Sequence, residues 1–262
     1  MRRTRFRRSA LIAGVTLTLL AALLLSQIGR AQNQGGPIPA KSETIEKSIK
    51  AYSGINVYDA EVWIQERIQG KLHNEERVHS VFVKSPLKMY FHWLPGGAFE
   101  GLQVSYVAER DGPNKYYALE TGFRGLIGLQ KYSFDNLLIK QLYPHFYPLK
   151  QYHLGFLINR LEANYRRAAE LGKISITAEG LKETLIPGRR LRVFKCTFPP
   201  DFPLDSMDGF RVGQSIVGYD EETSLPLFIE NYNSEGQLHS RFKYMKFSPN
   251  PAIDASMFEL KR

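Results

Sequence analysis

The sequence predicts a mainly β fold with a few helices, built as one large antiparallel sheet of about ten or eleven short strands. Three observations lead there. From Val57 to Ile68 the residues Tyr58, Ala60, Val62, Ile64 and Ile68 alternate with mostly polar neighbours, the period of a strand with one wet face. Turn signals recur at short intervals, among them Gln69-Gly70-Lys71, Pro95-Gly96-Gly97, Asp111-Gly112-Pro113-Asn114 and Pro187-Gly188. Helical spacing is confined to two segments, one before the strands and one in their middle. A sheet of that size tends to curl. One of its faces is apolar, so the curled face is filled by the chain's own helices, by a ligand, or by both.

The elements follow in order. Arg2, Arg3, Arg5, Arg7 and Arg8 precede an uncharged, largely apolar run from Ala10 to Ser26, and Gly29-Arg30-Ala31 offers small residues where a signal peptidase reads. The expectation is a signal peptide over 1–31 with cleavage near Ala31, and hence an exported or periplasmic domain. A retained membrane anchor is the competing reading, although the run is slightly short of the about 20 apolar residues of a span. Residues 32–40 read as a flexible leader, being Gln, Asn, Gly and Pro without periodicity. Residues 41–262 read as a single domain. It opens with a helix from Lys41 to Tyr52, with Ser42 as N-cap, ended by Gly54.

Five strands come next, at Val57–Ile68, Arg77–Lys84, Leu87–Leu94, Leu102–Ala108 and Lys115–Leu119. The middle, about 120–172, breaks the rhythm with Gly122, Gly125, Gly128, Pro144 and Pro148, then turns helical from Leu154 to Leu171. It reads as a helical insertion covering one face or end of the sheet. Strands resume at Lys173–Ala178, Lys182–Ile186 and Arg190–Phe198, a Pro/Asp-rich loop takes 199–211, and Gln214–Tyr219, Leu225–Tyr232 and Leu238–Phe247 complete the count.

Composition narrows the function. The chain has 262 residues and a net charge of +9. Six of its 35 basic residues lie within 1–31, which leaves 29 basic against 26 acidic residues beyond them. The basic balance is therefore mostly a targeting signal, and nothing points to nucleic acid, which would need a basic patch on the folded domain. The six histidines show no metal-ligand spacing, and neither a nucleophile elbow nor a phosphate-binding loop is present. No metal, cofactor or catalytic residue is expected. The one cysteine, Cys196, sits among Val193, Phe194 and Phe198 and reads as an inert core thiol.

The order of pieces resembles a known superfamily. A secretion signal, a helix, a hairpin ending in Lys84-Ser85-Pro86-Leu87-Lys88-Met89-Tyr90-Phe91, and the closing Asn250-Pro251-Ala252-Ile253-Asp254-Ala255-Ser256-Met257-Phe258 look like the periplasmic lipoprotein-carrier (LolA/LolB-like) superfamily. Gly101-Leu102-Gln103-Val104-Ser105-Tyr106-Val107 further resembles an uncharacterised branch of it, a domain of unknown function in exported bacterial proteins. The resemblance implies an incomplete, strongly curved barrel closed by helices around an apolar cavity that holds acyl chains, without catalysis or cofactor. Ser85 stands where carriers commonly have arginine, so a lid latch here would use other residues.

Strand parity then names a site. Tyr58, Val62 and Ile64 would line the cavity with Met89, Phe91 and Trp93, although in a half-barrel the core wall and the ligand wall are the same surface. Phe156, Leu157 and Leu161 would cover it, either as a moving lid or as a fixed packing helix. Arg160, Arg166 and Arg167 read as a solvated face or as a contact for anionic headgroups. The expected function is an exported, non-enzymatic carrier or binder of an acyl chain, lipid or lipoprotein, in peripheral or transient contact with a membrane. The alternative is an envelope sensor or protein-interaction module.

Overall fold

The computed structural model describes residues 43–126, 128–134, 152–172, 174–199 and 212–260, without the side chains of 123 and 124. The signal segment at 1–31, the leader, the Ser42 cap, Pro144, Pro148 and nearly all of the 199–211 loop lie outside these residues. Helix α1 covers Glu43–Ser53, and the strands that follow are β1 Val57–Ile68, β2 Lys71–Leu72, β3 Glu76–Val83, β4 Lys88–Trp93 and β5 Gln103–Val107. The short helix α2, Ala108–Asp111, leads to β6 Lys115–Leu119, α3 Gly122–Gly125 and β7 Leu129–Ser133. Helix α4, Leu154–Leu171, precedes β8 Ser175–Lys182, β9 Leu191–Thr197, β10 Val212–Asp220, β11 Pro226–Asn233, β12 Leu238–Tyr244 and β13 Ser248–Pro249, and a 3-10 turn at Ala255–Phe258 ends the fold.

All of these strands form one antiparallel sheet, which stays open as a curved half-barrel. Its order is β7-β6-β5-β4-β3-β1-β12-β11-β10-β9-β8, with β2 and β13 added beside β1. The order explains the middle segment. Strands β7 and β8 are neighbours in sequence but lie at opposite edges of the sheet, so the chain between them must traverse it. Helix α4 makes the later part of that crossing, from Tyr58 of β1, which accepts from the Leu154 amide, to Cys196 of β9, which the Tyr165 hydroxyl meets. Eighteen residues long, it reaches about 27 Å at 1.5 Å per residue, enough to pass five or six strands spaced about 4.8 Å apart.

The sequence places α4 well: it spans Leu154–Leu171, and Gly172 takes the left-handed conformation that ends it. Its first turn is capped by His153, whose Nδ1 accepts from the Phe156 amide at 3.1 Å. The side chains of Leu154, Leu157 and Ile158 are buried in the core that also holds Tyr58, Val62, Met89 and Phe91.

Three expectations need correction. Lys182–Ile186 is not a separate strand: β8 runs through Lys182, and a bent loop follows. Leu185 and Ile186 both pack against the core, which consecutive residues of a strand cannot do because they point to opposite faces. Residues 120–172 also hold β7, which pairs with β6 in the register Tyr116↔Tyr132; its partly exposed residues give no clear alternation. Finally, β12 stops at Tyr244, before the expected Phe247.

Candidate functional site

The six wall residues named by parity do share one face. Val62 pairs with Val78 and Tyr58 with Phe82 across β1 and β3. Val78 pairs with Trp93, Ser80 with Phe91 and Phe82 with Met89 across β3 and β4. Tyr58, Val62, Ile64, Met89, Phe91 and Trp93 are all buried in a single cluster. Leu157 belongs to that cluster, and Phe156 and Leu161 pack against it.

The wall is closely filled by the start of α4. The Leu154 amide donates to the Tyr58 hydroxyl at 3.1 Å. The rings of His153 and Phe82 stack with centroids 4.6 Å apart, and Tyr152 lies against Phe242 at 5.9 Å. Burial of Tyr58 raises its pKa well above the usual tyrosine range, so the hydroxyl stays a neutral acceptor for that amide. Burial likewise pushes His153 down to about 4, which keeps its Nδ1 lone pair available as the helix cap.

Open space lies further along the helix. A cleft of about 40 Å³ separates α4 from the second half of the sheet. Its roof is Leu157, Arg160, Leu161, Asn164 and Tyr165; Ser215, Ile229 and Asn231 form the floor, with Phe198 and Val212 at its end. None of the six wall residues lines it, and of the three cover residues Leu157 and Leu161 do. Such a volume holds about three water molecules.

The cleft floor belongs to a polar rung across the inward face. Register aligns Glu66 with Ser240, Ser240 with Asn231, Asn231 with Ser215 and Ser215 with Cys196. The next rung is apolar throughout: Ile64, Phe242, Ile229, Val217 and Phe194. The polar rung is internally bonded. Ser215 Oγ donates to Asn231 Oδ1 at 2.7 Å, and Asn231 Nδ2 donates to Ser240 Oγ at 3.0 Å. At one end the Tyr152 hydroxyl donates to Glu66 at 2.6 Å. At the other the Tyr165 hydroxyl meets Cys196 Sγ at 2.6 Å. Burial pushes the Cys196 thiol up to about 11, so it remains protonated and unreactive at neutral pH, as its apolar neighbours suggest.

Ser215 and Asn231 escape a reading of the sequence alone because only the register brings them to the same level. Arg160 was visible as a possible headgroup contact, but so were Arg166 and Arg167. Arg166 pairs with Glu162 on the exposed face, Arg167 is exposed, and Arg160 alone of the three reaches the cleft. Burial and the charges of Arg67 and Arg160 hold the nearby His239 at about 4. Among the described residues, no group of three or more His, Cys, Asp or Glu could hold a metal ion.

A family model matches residues 55–262, most of the chain, and carries the description Protein of unknown function (DUF1571). The chain belongs to the DUF1571 family. Among curated proteins no sequence matches it. Solved structures similar to this DUF1571 chain include the Mycobacterium tuberculosis lipoprotein LppX, at 13% identity and a TM-score of 0.44, covering 80% of this chain and 95% of that one. The MucA/MucB complex of Pseudomonas aeruginosa matches at 15% identity and a TM-score of 0.43, over 84% of this chain and 62% of the other. A LolA superfamily protein from Nitrosomonas europaea matches at 10% identity and a TM-score of 0.33, covering 82% and 95%.

Proposed function

We propose that this DUF1571 domain is an exported, non-enzymatic binder of an acyl chain, carried by a lipid or lipoprotein, and that the chain enters beneath α4. The observation behind this reading is the continuous apolar inward face, from Met89, Phe91 and Trp93 through Val62 and Ile64 to Phe242, Ile229 and Val217, spanned by a single helix. The energies make the exchange feasible. About fourteen methylenes would supply about 11 kcal/mol gross at about 0.8 kcal/mol each. Uncovering Leu154, Leu157 and Ile158 costs roughly 5–9 kcal/mol at about 1.5–3 kcal/mol per side chain. On this reading the acyl chain takes over the contacts that the helix makes with the apolar face.

Hydrogen exchange tests this. Addition of a C16 fatty acid should change amide protection over 154–171, while the amides of β1 and β3 stay as they were. Protection equal to that of the sheet in both states, together with lipid-free protein by native mass spectrometry, would leave α4 as a static cover and overturn the carrier reading.

A second reading has an observation of its own. The wall is occupied by the chain's own side chains, with Tyr58 and Leu154 wholly buried against each other. A concave face filled in this way suits an envelope protein-interaction module. Such a module would form a stable complex from envelope extract while taking up no lipid.

A further inference from the structure

The apolar wall carries a small group of hydroxyls where α4 begins. Two amides of the first turn end on phenols: Leu154 donates to the Tyr58 hydroxyl at 3.1 Å, and Gly155 donates to that of Tyr52. Ser80, opposite Ala60 on the same face, lies beside the Tyr58 hydroxyl. Tyr244 completes the group. Its ring meets that of Tyr58 edge-on with centroids 6.5 Å apart, it is wholly buried, and its hydroxyl has no hydrogen-bond partner among the described residues. Burial and the nearby hydroxyls of Tyr58 and Tyr52 raise its pKa well above the usual tyrosine range, so it keeps its proton. A hydroxyl buried without a partner is costly, and phenylalanine would fill the same space without that cost. A phenol that accepts from an amide still has its own proton to give. Donors are therefore in surplus here, and the group calls for an acceptor oxygen. That oxygen is a neutral one. No cation acts on Tyr58 or Tyr244, and Lys84, 5.5 Å over the Tyr52 ring, donates to the exposed Ser53 carbonyl. A carboxylate taken into the wall would lack a charge partner among the described residues, whereas a carbonyl needs none.

We propose that Tyr244, with Tyr58 and Ser80, receives the ester carbonyl of the acyl ligand as the chain takes over the contacts of α4 with this wall. The proposal rests on the acyl-binding reading above and adds the class of ligand: an esterified acyl chain rather than a free fatty acid. Tyr58 gives up the Leu154 amide and donates to the carbonyl, and Tyr244 gains a partner. Val62, opposite Tyr244, and Phe91, opposite Ser80, supply the apolar surface beside them.

The test is Tyr244→Phe in the full chain, read by displacement of a fluorescent acyl ester with methyl palmitate or with heptadecane, which has the same number of carbons and no acceptor. Loss of one hydrogen bond predicts that methyl palmitate binds the variant about threefold to tenfold more weakly, while heptadecane binds both proteins equally. The carbonyl stretch of bound methyl palmitate should lie at lower frequency in the unaltered protein than in the variant. Without ligand, the urea midpoint of the variant should be no lower than that of the unaltered protein, because the hydroxyl removed has no partner to lose. A lower midpoint would make the hydroxyl a structural one, held by the fold or by an internal water, and would overturn the ester seat. So would equal losses for ester and alkane, or a greater loss for palmitate than for methyl palmitate; each leaves acyl binding in place. Binding of none of these ligands to the unaltered protein would overturn the acyl reading and the seat together.

Discussion

Asn250 shows how one side chain gives a sequence motif its physical meaning. Its Oδ1 accepts from the amides of Asn56 and Val57 at 2.8 and 3.2 Å, and its Nδ2 donates to the Gly54 carbonyl at 3.0 Å. Its backbone sits at φ 51°, in the left-handed region that asparagine tolerates better than most residues. The Asn-Pro ending therefore braces the turn between α1 and β1, almost two hundred positions earlier. Asn250→Ala should lose these bonds and strain the backbone, at a cost of about 2 kcal/mol, read as a lower urea midpoint with an unchanged slope. His153 supplies a second prediction at this scale. Its folded pKa of about 4 lies below the ordinary 6.5, so between those values the unfolded chain binds more protons. Stability should then rise with pH through that window and fall as pH drops from about 6.5 toward about 4. A His153→Asn variant, which keeps a capping side chain, should flatten the profile measured by denaturation at each pH; His239, also held at about 4, contributes the remainder.

Among the elements, the crossing of α1 and α4 depends on Gly155. A Cβ there would lie 2.4 Å from the Tyr52 hydroxyl oxygen. Gly155→Ala should displace Tyr52, cost about 1–3 kcal/mol and speed amide exchange in α1 more than in the sheet. Elements with a clean period were legible in the sequence. The alternation of β1, the aromatic parity of β4 and the stripe of α4 each identify a buried face, because burial on one side imposes the period. Where neither face is uniformly buried the signal fails. Strand β7 is an edge strand of mixed residues, and the loop after β8 hides Ile186 by tertiary packing rather than by pattern. The candidate site divides in the same way. The wall and cover could be read from parity and helical spacing, whereas the cleft could not, because it depends on which residues of β10 and β11 stand level with each other. That information resides in register, which is set by bulges such as the one between Val212 and Gln214. The other edge, β8, is long and mostly exposed; Glu179, Lys182 and the bulge between Ala178 and Gly180 are the features by which natural sheets discourage edge-to-edge pairing.

At the scale of the molecule, the sheet is two meanders joined at one seam. Strand β1 pairs with β12, setting Val62 opposite Tyr244 and Glu66 opposite Ser240. The pairing brings together residues far apart in sequence, so loop closure must precede its reward and folding should be slow, in the millisecond-to-second range of β-rich topologies. Stopped-flow refolding monitored by the tryptophans, with Trp63 in β1 and Trp93 in β4, should report that rate; a microsecond phase carrying the full amplitude would contradict it. The seam also sets an order of events during synthesis. The first meander leaves the ribosome with its aromatic wall complete, while β12 is more than a hundred residues from being made. Helix α4 is next to emerge, and its leading residues are the ones that meet Tyr58 and Phe82. The segment that separates the halves of the finished sheet can thus act as an internal chaperone for the half already made, masking its sticky surface until the second half arrives to share the cover.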